Sequence, residues 1–187
     1  VLGENRVQEA AAKIPLVPGA RWHLVGPLQA NKARRAVELF DVLEAVDSLA
    51  LARRLDRLAG EIRPGRPLPI LLQANVDADP AKAGFAPDAM RAALPDLLAL
   101  PNLAVRGLMT IGRLVDAPEE ARSTFAALRA LADQLRGSWP ALGADLSMGM
   151  TDDFEVAVEE GGTRGRYGAP RFGAGGPGPG TPPVRGA

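Results

Sequence analysis

Short apolar segments alternate regularly with longer amphipathic segments along this chain, and this alternation is the feature that most restricts its fold. The apolar segments are bounded by Gly, Pro or Asp, as strands commonly are. Strands are predicted over residues 21–26, 41–47, 68–76, 104–111, 142–149 and 163–168. The third of these is apolar on successive residues, as expected for a strand buried on both faces. Regular β-α alternation predicts a parallel sheet with helices packed outside it.

The intervening segments have helical periodicity. Helices are predicted over residues 7–14, 31–39, 48–62, 87–100, 117–137 and 152–161. The third helix carries one apolar stripe, made by Leu51, Leu55, Leu58 and Ile62. Ser48 precedes that stripe and is expected to cap the helix N-terminus. Pro95 falls inside the fourth helix, where the missing N–H is expected to kink it.

The number of predicted strands points to an incomplete barrel. A closed (β/α)8 barrel has eight strands, and six are predicted here. Residues 1–2 read as the end of one earlier strand. The sequence therefore predicts an α/β fold, a TIM-type (β/α)8 barrel lacking the first one to two strands, over residues 1–173. Residues 174–187 are rich in Gly and Pro and are expected to form a disordered tail.

Charge and residue usage exclude several classes of function. The 22 basic and 22 acidic residues cancel, and no basic cluster predicts a nucleic-acid or membrane surface. The absence of cysteine excludes disulfides and thiolate metal sites. No apolar run reaches the length of a membrane span, and no signal-peptide pattern opens the chain. We expect a cytoplasmic monomer without nucleic-acid or membrane partners, in which the open barrel edge allows weak self-association.

Residues 146–155, Leu-Ser-Met-Gly-Met-Thr-Asp-Asp-Phe-Glu, predict an anion-binding turn. A strand end runs into a turn of small residues, and a helix with an acidic first turn follows. A hydroxyl and free backbone N–H groups gather there, and the helix dipole favours an anion. Ser147 and the N–H groups of 149–151 are the candidate ligands of a phosphate. The alternative for Ser147 is a plain helix N-cap.

Four segments occur in the order found in one protein family. They are Gly-Glu-Asn-Arg-Val-Gln-Glu at 3–9, Trp-His-Leu-Val-Gly-Pro-Leu-Gln-Ala-Asn-Lys at 22–32, Gly-Leu-Met-Thr-Ile at 107–111, and the pair formed by 146–155 and Gly-Gly-Thr-Arg-Gly-Arg-Tyr-Gly at 161–168, which closes at Phe172 and Gly173. On these segments the chain resembles the pyridoxal-phosphate homeostasis protein family, also called the alanine racemase-like N-terminal domain family. The resemblance implies a barrel of the alanine racemase N-terminal type.

The resemblance also implies that pyridoxal 5′-phosphate binds at the C-terminal ends of the strands. The cofactor-binding residues that it implies are Asn5, Ser147, Met148, Gly149, Thr163, Arg166 and Gly168. Arg166 would face the pyridine nitrogen, and its permanent charge would keep that nitrogen unprotonated. The alternative for Arg166 is a surface salt bridge, since Arg164 is equally close. Asn5 would contact the ring hydroxyl or the imine region, cap the helix that begins near Val7, or do both.

The chain departs from the family pattern near its last predicted strand. Gly162 stands where the family has a serine, which removes one hydroxyl contact. Gly165 and Tyr167 replace aliphatic residues, and Pro170 and Arg171 stand where small or aliphatic residues are usual. Because glycine weakens a strand, this strand is degraded relative to the family pattern.

The lysine that forms the family's imine with the cofactor lies on the first barrel strand, upstream of residues 3–9. This chain begins at Val1, so no covalent imine is expected in it. Its lysines are Lys13, Lys32 and Lys82. Lys32 follows a different barrel strand, Lys82 is expected in a loop where it is solvated or contacts an anion, and Lys13 is expected on an outer helix surface.

The residues leave three functions open, of which the first is favoured. It is a carrier or buffer in the homeostasis of pyridoxal phosphate, without turnover and therefore not an enzyme. The second is an amino-acid racemase-like enzyme, which needs two acid-base groups beside the substrate carbon; the only tyrosine, Tyr167, lies on the last strand. The third is an inactive truncated remnant. His23, the only histidine, is expected to be a buried, hydrogen-bonded barrel residue rather than an acid-base catalyst.

Overall fold

The chain folds around a parallel sheet of six strands whose spatial order follows the chain order. The computed structural model describes residues 1–113 and 115–168. The strands are β1 (Leu2–Glu4), β2 (Trp22–Leu24), β3 (Val42–Val46), β4 (Leu68–Gln73), β5 (Leu103–Met109) and β6 (Asp145–Ser147). Every neighbouring pair is parallel, which confirms the sheet type predicted from the β-α alternation.

Helices connect the strands along one face of the sheet. They are α1 (Val7–Lys13), α2 (Ala33–Leu39), α3 (Leu49–Ile62), α4 (Pro87–Leu98), α5 (Arg122–Ser138) and α6 (Phe154–Glu159). Short 3-10 turns precede α2 at Ala30–Lys32 and α5 at Pro118–Ala121. The predicted cap of α3 is confirmed, because the Ser48 side chain accepts a hydrogen bond from the Leu51 N–H at 3.3 Å. Pro95 lies inside α4, which continues to Leu98.

The predicted strand over 163–168 is wrong. Only one isolated parallel bridge forms there, between Ser147 and Arg164. Two residues later the Arg166 N–H donates to the Gly149 carbonyl. The segment therefore lies alongside the loop after β6 and does not extend the β-ladder. Gly165 lies between these two residues, and glycine disfavours a regular strand. The sheet still has six strands, because β1 at the start of the chain pairs with β2.

The main apolar core lies between the outer helices and the sheet. The predicted stripe of α3 is confirmed by the burial of Leu51, Leu55 and Leu58, with Ile62 partly buried against them. On α5 the buried residues are Phe125, Leu128, Leu131 and Leu135. Because each helix buries one continuous face, packing against the sheet supplies most of the stability that short helices lack on their own.

The sheet is curled, and its inner face is largely polar. Glu44 on β3 and Ser147 on β6 are joined by a 2.6 Å hydrogen bond, although three strand spacings would separate them by roughly 14 Å in a flat sheet. The apolar part of the inner face is a small separate cluster of Ala45, Leu71 and Met109. The strands therefore form part of a barrel whose interior is occupied by charged and polar groups.

Several predictions from the sequence lie outside the described residues. They concern Pro170, Arg171, the closing pair Phe172 and Gly173, and the tail over 174–187. Within residues 1–113 and 115–168, no helix is long and apolar enough to cross a membrane. Over the same residues, no group of three or more His, Cys, Asp or Glu side chains is arranged to hold a metal ion.

Candidate functional site

A cavity of about 920 Å³ opens on the inner face of the curled sheet and at the C-terminal ends of its strands. The parallel strands all end at this side, which gathers side chains from distant parts of the sequence. The polar groups that line the cavity include Asn5, His23, Glu44, Ser147, Arg164 and Arg166. The structure thereby brings together residues from β2, β3 and β6 and from the segment that follows α6.

A chain of hydrogen bonds crosses the interior from β2 to the segment after α6. His23 Nδ1 lies 2.6 Å from Glu44 Oε1, and Ser147 Oγ donates to Glu44 Oε2 at 2.6 Å. Arg166 Nη1 in turn donates to Ser147 Oγ at 2.9 Å. His23, Glu44 and Ser147 are all buried, so this network lies away from bulk water and is electrostatically strong. The expectation that His23 is buried and hydrogen-bonded is confirmed.

Glu44 is a buried carboxylate with both oxygens hydrogen-bonded. Burial has the largest single influence on its pKa and acts to raise it. The hydrogen bonds from His23 and Ser147, together with the charges of His23 and Arg164, act in the opposite direction and leave the pKa of Glu44 below its ordinary value. The carboxylate is therefore ionised at neutral pH and serves as the negative centre of the interior.

The stability of the fold is expected to depend on the ionisation of Glu44. Because folding lowers its pKa from the ordinary 4.5, the ionised carboxylate stabilises the fold above that value, and the contribution is lost as the pH falls through the folded-state pKa. Glu44→Gln is expected to be less stable than the natural chain by about 2 kcal/mol at neutral pH. Urea unfolding at a series of pH values below neutrality should show this difference shrinking below pH 4.5.

Glu119→Gln provides the matched control for that experiment. The pKa of Glu119 is also lowered, chiefly by its hydrogen bond with Arg122, but the pair lies at the surface and is screened by solvent. Its replacement should change stability little at any pH. A stability difference for Glu44→Gln that stays constant down to the most acidic point would contradict the role assigned to the buried carboxylate.

Arg166 is held at the cavity wall by acceptors from two strand ends. Its Nη1 donates to Ser147 Oγ at 2.9 Å, and its Nη2 donates to the Thr110 carbonyl at 2.8 Å. Burial lowers its pKa, against the charges of Glu44 and Asp153, which act to raise it. A guanidinium stays protonated at neutral pH, and these bonds use two of its five N–H donors. Arg166 is thus a fixed cation with donor capacity beside the cavity.

Arg164 has a different role from Arg166. Its Nη2 pairs with Asp145 Oδ2 at 2.6 Å, and its Nη1 lies 3.4 Å from His23 Nδ1. Since the Glu44 carboxylate only accepts, His23 Nδ1 carries the proton that it donates to Glu44, and the longer contact with Arg164 is not a hydrogen bond. The salt bridge considered for Arg166 is therefore formed by its neighbour Arg164.

The loop after β6 is divided between the packing of α6 and the wall of the cavity. Gly149 has a φ of +83°, and a Cβ built on it would lie 2.5 Å from the Ala157 Cβ, so α6 packs directly on this glycine. Met148 is buried in the helix-facing core, and Met150 and Thr151 line the cavity. Ser147 is buried, and its hydroxyl is engaged by Glu44 and Arg166. Its predicted contact with phosphate stays a prediction.

The second predicted phosphate segment lies beside the first. Thr163 Oγ1 accepts a hydrogen bond from the Leu146 N–H at 2.8 Å, which joins the two segments below the cavity mouth. The Gly168 N–H donates to Thr151 Oγ1 at 3.2 Å, which joins them at the mouth. A Cβ built on Gly168 would meet no atom within 4 Å among the described residues. The absence of a side chain there leaves room in the cavity.

Asn5 lines the cavity from the opposite side, after β1. The N-cap position of α1 is occupied by Arg6, and no side-chain capping hydrogen bond is formed there. The capping role considered for Asn5 is therefore not observed. The structure leaves the Asn5 side chain exposed at the cavity wall.

None of the three lysines lines the cavity in the part of the chain that the structure describes. Lys82 Nζ lies 3.4 Å from Asp77 Oδ2 and donates to the Ile111 carbonyl at 3.2 Å. Lys13 pairs with Glu4 and Glu9 on the outside of the sheet, as predicted for a surface residue. Lys32 ends a 3-10 turn before α2.

Sequence reasoning missed Glu44, Asp145 and Arg164. Glu44 had a readable signal, because it is the only charged residue within the buried strand Val42–Val46, and a charge in such a position requires partners. Asp145 is the first residue of β6, and Arg164 lies outside the strands, so neither shows a comparable signal in the sequence. Their pairing arises because the segment after α6 lies directly beside β6.

Comparison with known proteins places the chain among pyridoxal-phosphate-related barrels. Residues 1–174 match the sequence profile of the family described as alanine racemase, N-terminal domain. The chain is 41% identical over 181 residues to the pyridoxal phosphate homeostasis protein of Pseudomonas aeruginosa, covering 92% of this chain and 73% of that protein. A protein of the same name from Synechocystis is 38% identical over 174 residues, with 91% and 78% covered.

Solved structures show the same fold. PipY of Synechococcus elongatus without PLP is 48% identical and superposes with a TM-score of 0.82 over 88% of this chain and 78% of that chain. The structure of PipY with PLP bound is 47% identical, with a TM-score of 0.80, over 88% and 77%. An alanine racemase from Clostridium difficile is 14% identical with a TM-score of 0.75, which shows similarity of fold alone.

Proposed function

The chain belongs to the alanine racemase N-terminal domain family, and from that membership we propose that it binds pyridoxal 5′-phosphate and takes part in the homeostasis of this cofactor. The observation that carries the proposal is a half-buried arginine fixed by two acceptors at the wall of a cavity of about 920 Å³. The similarity to PipY, solved with PLP bound, supports it. A cytoplasmic location and a monomeric state stay predictions, as does the assignment of the described strands within an eight-stranded barrel.

The residues at the cavity mouth fit a phosphorylated pyridine. The backbone after β6, at Gly149 to Thr151, and the space beside Gly168 are proposed to hold the phosphate, because glycine lets an anion approach the main chain. Arg166 is proposed to donate to the ring nitrogen, with Asn5 near the ring hydroxyl. When bound, the cofactor supplies an aldehyde and an electron-withdrawing ring. A permanent cation opposite the nitrogen keeps that nitrogen unprotonated, which weakens the ring as an electron sink.

This electrostatic arrangement favours a carrier over a racemase. Racemisation needs two acid-base groups on opposite sides of one carbon, and the described cavity is lined by no lysine. Tyr167 packs edge-on against Phe154, with ring centroids 5.0 Å apart. His23 directs its Nδ1 proton to Glu44. We therefore assign binding and orientation of a ligand to the described residues of the cavity.

Equilibrium binding of pyridoxal phosphate tests the proposed function. The natural chain is expected to bind the cofactor and to bind pyridoxal, which lacks the phosphate, about tenfold more weakly, because the phosphate takes several charge-assisted hydrogen bonds. Absorbance titration with equilibrium dialysis measures both affinities, and added inorganic phosphate should compete. Equal affinity for the two ligands would remove phosphate recognition from the proposal, and no binding of either would refute the function.

No covalent adduct with the cofactor is expected. Each lysine is removed from the cavity, and Lys82 is occupied by Asp77 and the Ile111 carbonyl. Intact mass measured after incubation with pyridoxal phosphate and borohydride reduction should show less than about one-tenth of the chain modified, since exposed amines react only adventitiously. Lys82→Arg is the control. A stoichiometric adduct mapped to Lys32 or Lys82 would contradict non-covalent binding.

A further inference from the structure

The hydrogen bonds around Ser147 have only one possible direction. An ionised carboxylate accepts only, and a guanidinium donates only. Ser147 Oγ, which lies 2.6 Å from Glu44 Oε2 and 2.9 Å from Arg166 Nη1, must therefore donate to Glu44 and accept from Arg166. Its single proton is committed to Glu44. A hydroxyl in this state can offer no proton to a phosphate oxygen.

The same network leaves Glu44 without rotational freedom. His23 donates to one carboxylate oxygen at 2.6 Å, and Ser147 donates to the other. Both partners belong to strands, β2 and β6, so the carboxylate is anchored to the rigid part of the fold. Arg166 follows a glycine in an irregular segment, and its long side chain has the most conformational freedom of the four groups. The order imposed on Arg166 therefore comes from Ser147 and the Thr110 carbonyl.

We propose that Ser147 and Glu44 are positioning residues, which hold the Arg166 guanidinium where it recognises the ring nitrogen of the ligand, and that Ser147 is not a ligand of the phosphate. This inference rests on the proposed function. It assigns Ser147 a role through Arg166, so its removal affects recognition of the ring nitrogen and leaves recognition of the phosphate intact.

A comparison of two ligands separates these roles. One is pyridoxal phosphate, and the other is its analogue with C–H in place of the ring nitrogen. Ser147→Ala is expected to weaken binding of pyridoxal phosphate about tenfold and to change binding of the analogue by less than about twofold. In an Arg166→Met background, where the group being positioned is gone, Ser147→Ala should have almost no further effect on either ligand, because the two residues act as one unit.

Thr124→Val is the matched control. Thr124 is buried, and its hydroxyl donates to the Asp77 carboxylate at 2.6 Å, so the change removes the same kind of hydrogen bond outside the cavity. It is expected to leave the affinity ratio of the two ligands unchanged. Glu44→Gln is the second variant at the site, and it should shift the ratio in the same direction as Ser147→Ala, because a neutral amide oxygen holds the Ser147 hydroxyl less strongly than the carboxylate does.

A measurement on the ligand-free chain tests the positioning of Arg166 directly. Arginine Nε–H signals in NMR spectra of the free chain should show Arg166 becoming more mobile in Ser147→Ala and in Glu44→Gln but not in Thr124→Val. Equal losses of affinity for both ligands in Ser147→Ala, or independent effects of Ser147→Ala and Arg166→Met, would overturn the inference. If the natural chain binds pyridoxal phosphate without preferring it to the analogue, the positioning role is refuted while the proposed function stands. If it binds neither ligand, both are refuted.

Discussion

Replacing Gly107 by alanine is expected to lower the free energy of unfolding by about 4 kcal/mol. Gly107 lies in β5 with a φ of +152°, a conformation that residues with a Cβ rarely adopt. A Cβ built there would lie 1.9 Å from the backbone oxygen of Asp145 and 2.7 Å from its carbonyl carbon. Because the obstacle is the main chain of β6, no side-chain movement can relieve it.

The site of this substitution also matters for the cavity. Val105 pairs with Ile70 and Gly107 with Leu71, so Arg106 is an extra residue that bulges from β5. Gly107 follows this bulge and pairs with Asp145 at the start of β6, the strand that carries Ser147. Alanine at Gly107 should therefore displace β6 and abolish ligand binding along with stability.

Urea unfolding followed by circular dichroism measures the effect, with Gly137→Ala as the control. Gly137 lies near the end of α5, and a Cβ there would meet nothing within 4 Å among the described residues. Alanine favours a helix over glycine by about 0.5–1 kcal/mol, so the control should be slightly more stable than the natural chain. A Gly107→Ala chain as stable as the natural one would show that β5 and β6 do not approach as closely as described.

Replacing Arg166 by methionine is expected to weaken binding of pyridoxal phosphate about 50-fold. The change removes a charge-assisted hydrogen bond to the ring nitrogen and the cation that keeps this nitrogen unprotonated. Methionine fills a similar volume without a charge. Titration by absorbance gives the affinity, and circular dichroism confirms that the variant is folded. The nitrogen resonance of ring-labelled cofactor should also move toward the protonated position, which a loss of packing alone would not cause.

Arg164→Met distinguishes the two arginines that face the cavity. Arg164 is paired with Asp145, so its removal is expected to change the affinity by less than about threefold. If Arg164→Met proves the more damaging substitution, the assignment of Arg166 to the ring nitrogen is wrong, and the ion pair with Asp145 must open when the ligand binds.

The architecture was predictable because each element carries its own local signal. The strand Leu68–Gln73 is apolar on both faces, and α3 has a cap at Ser48 and one buried stripe. Such signals lie within a few residues of one another, so periodicity detects them. The failure at 163–168 has a local cause as well. The exposure of successive residues alternates in this segment as it does in a strand. The segment nevertheless lies alongside the loop after β6 and forms only one isolated β-bridge among the described residues.

The polar interior was not predictable to the same extent. Ser147 and Glu44 are 103 residues apart in the sequence, and no local pattern records that the curvature of the sheet will bring them into contact. The family resemblance predicted Ser147 and Arg166 as cofactor-binding residues, and both line the cavity, but it did not reveal that Ser147 is bound by a buried carboxylate. The sequence alone pointed to Arg166, whereas the groups that fix its position could be identified only from the fold.

The order of the strands has a consequence for when a binding-competent chain exists. Consecutive strands are neighbours in the sheet, so the sheet can grow by adding one short β-α unit at a time, and each addition closes only a small loop. The bonds across the interior behave differently, since Ser147 and Glu44, which are joined there, are 103 residues apart in the sequence. A chain folded only as far as β5 has His23 and Glu44 in place, but Ser147 and Arg166 are still missing. Among the described units, the residues proposed to hold a ligand are therefore complete only after β6 and the segment that follows α6 have docked.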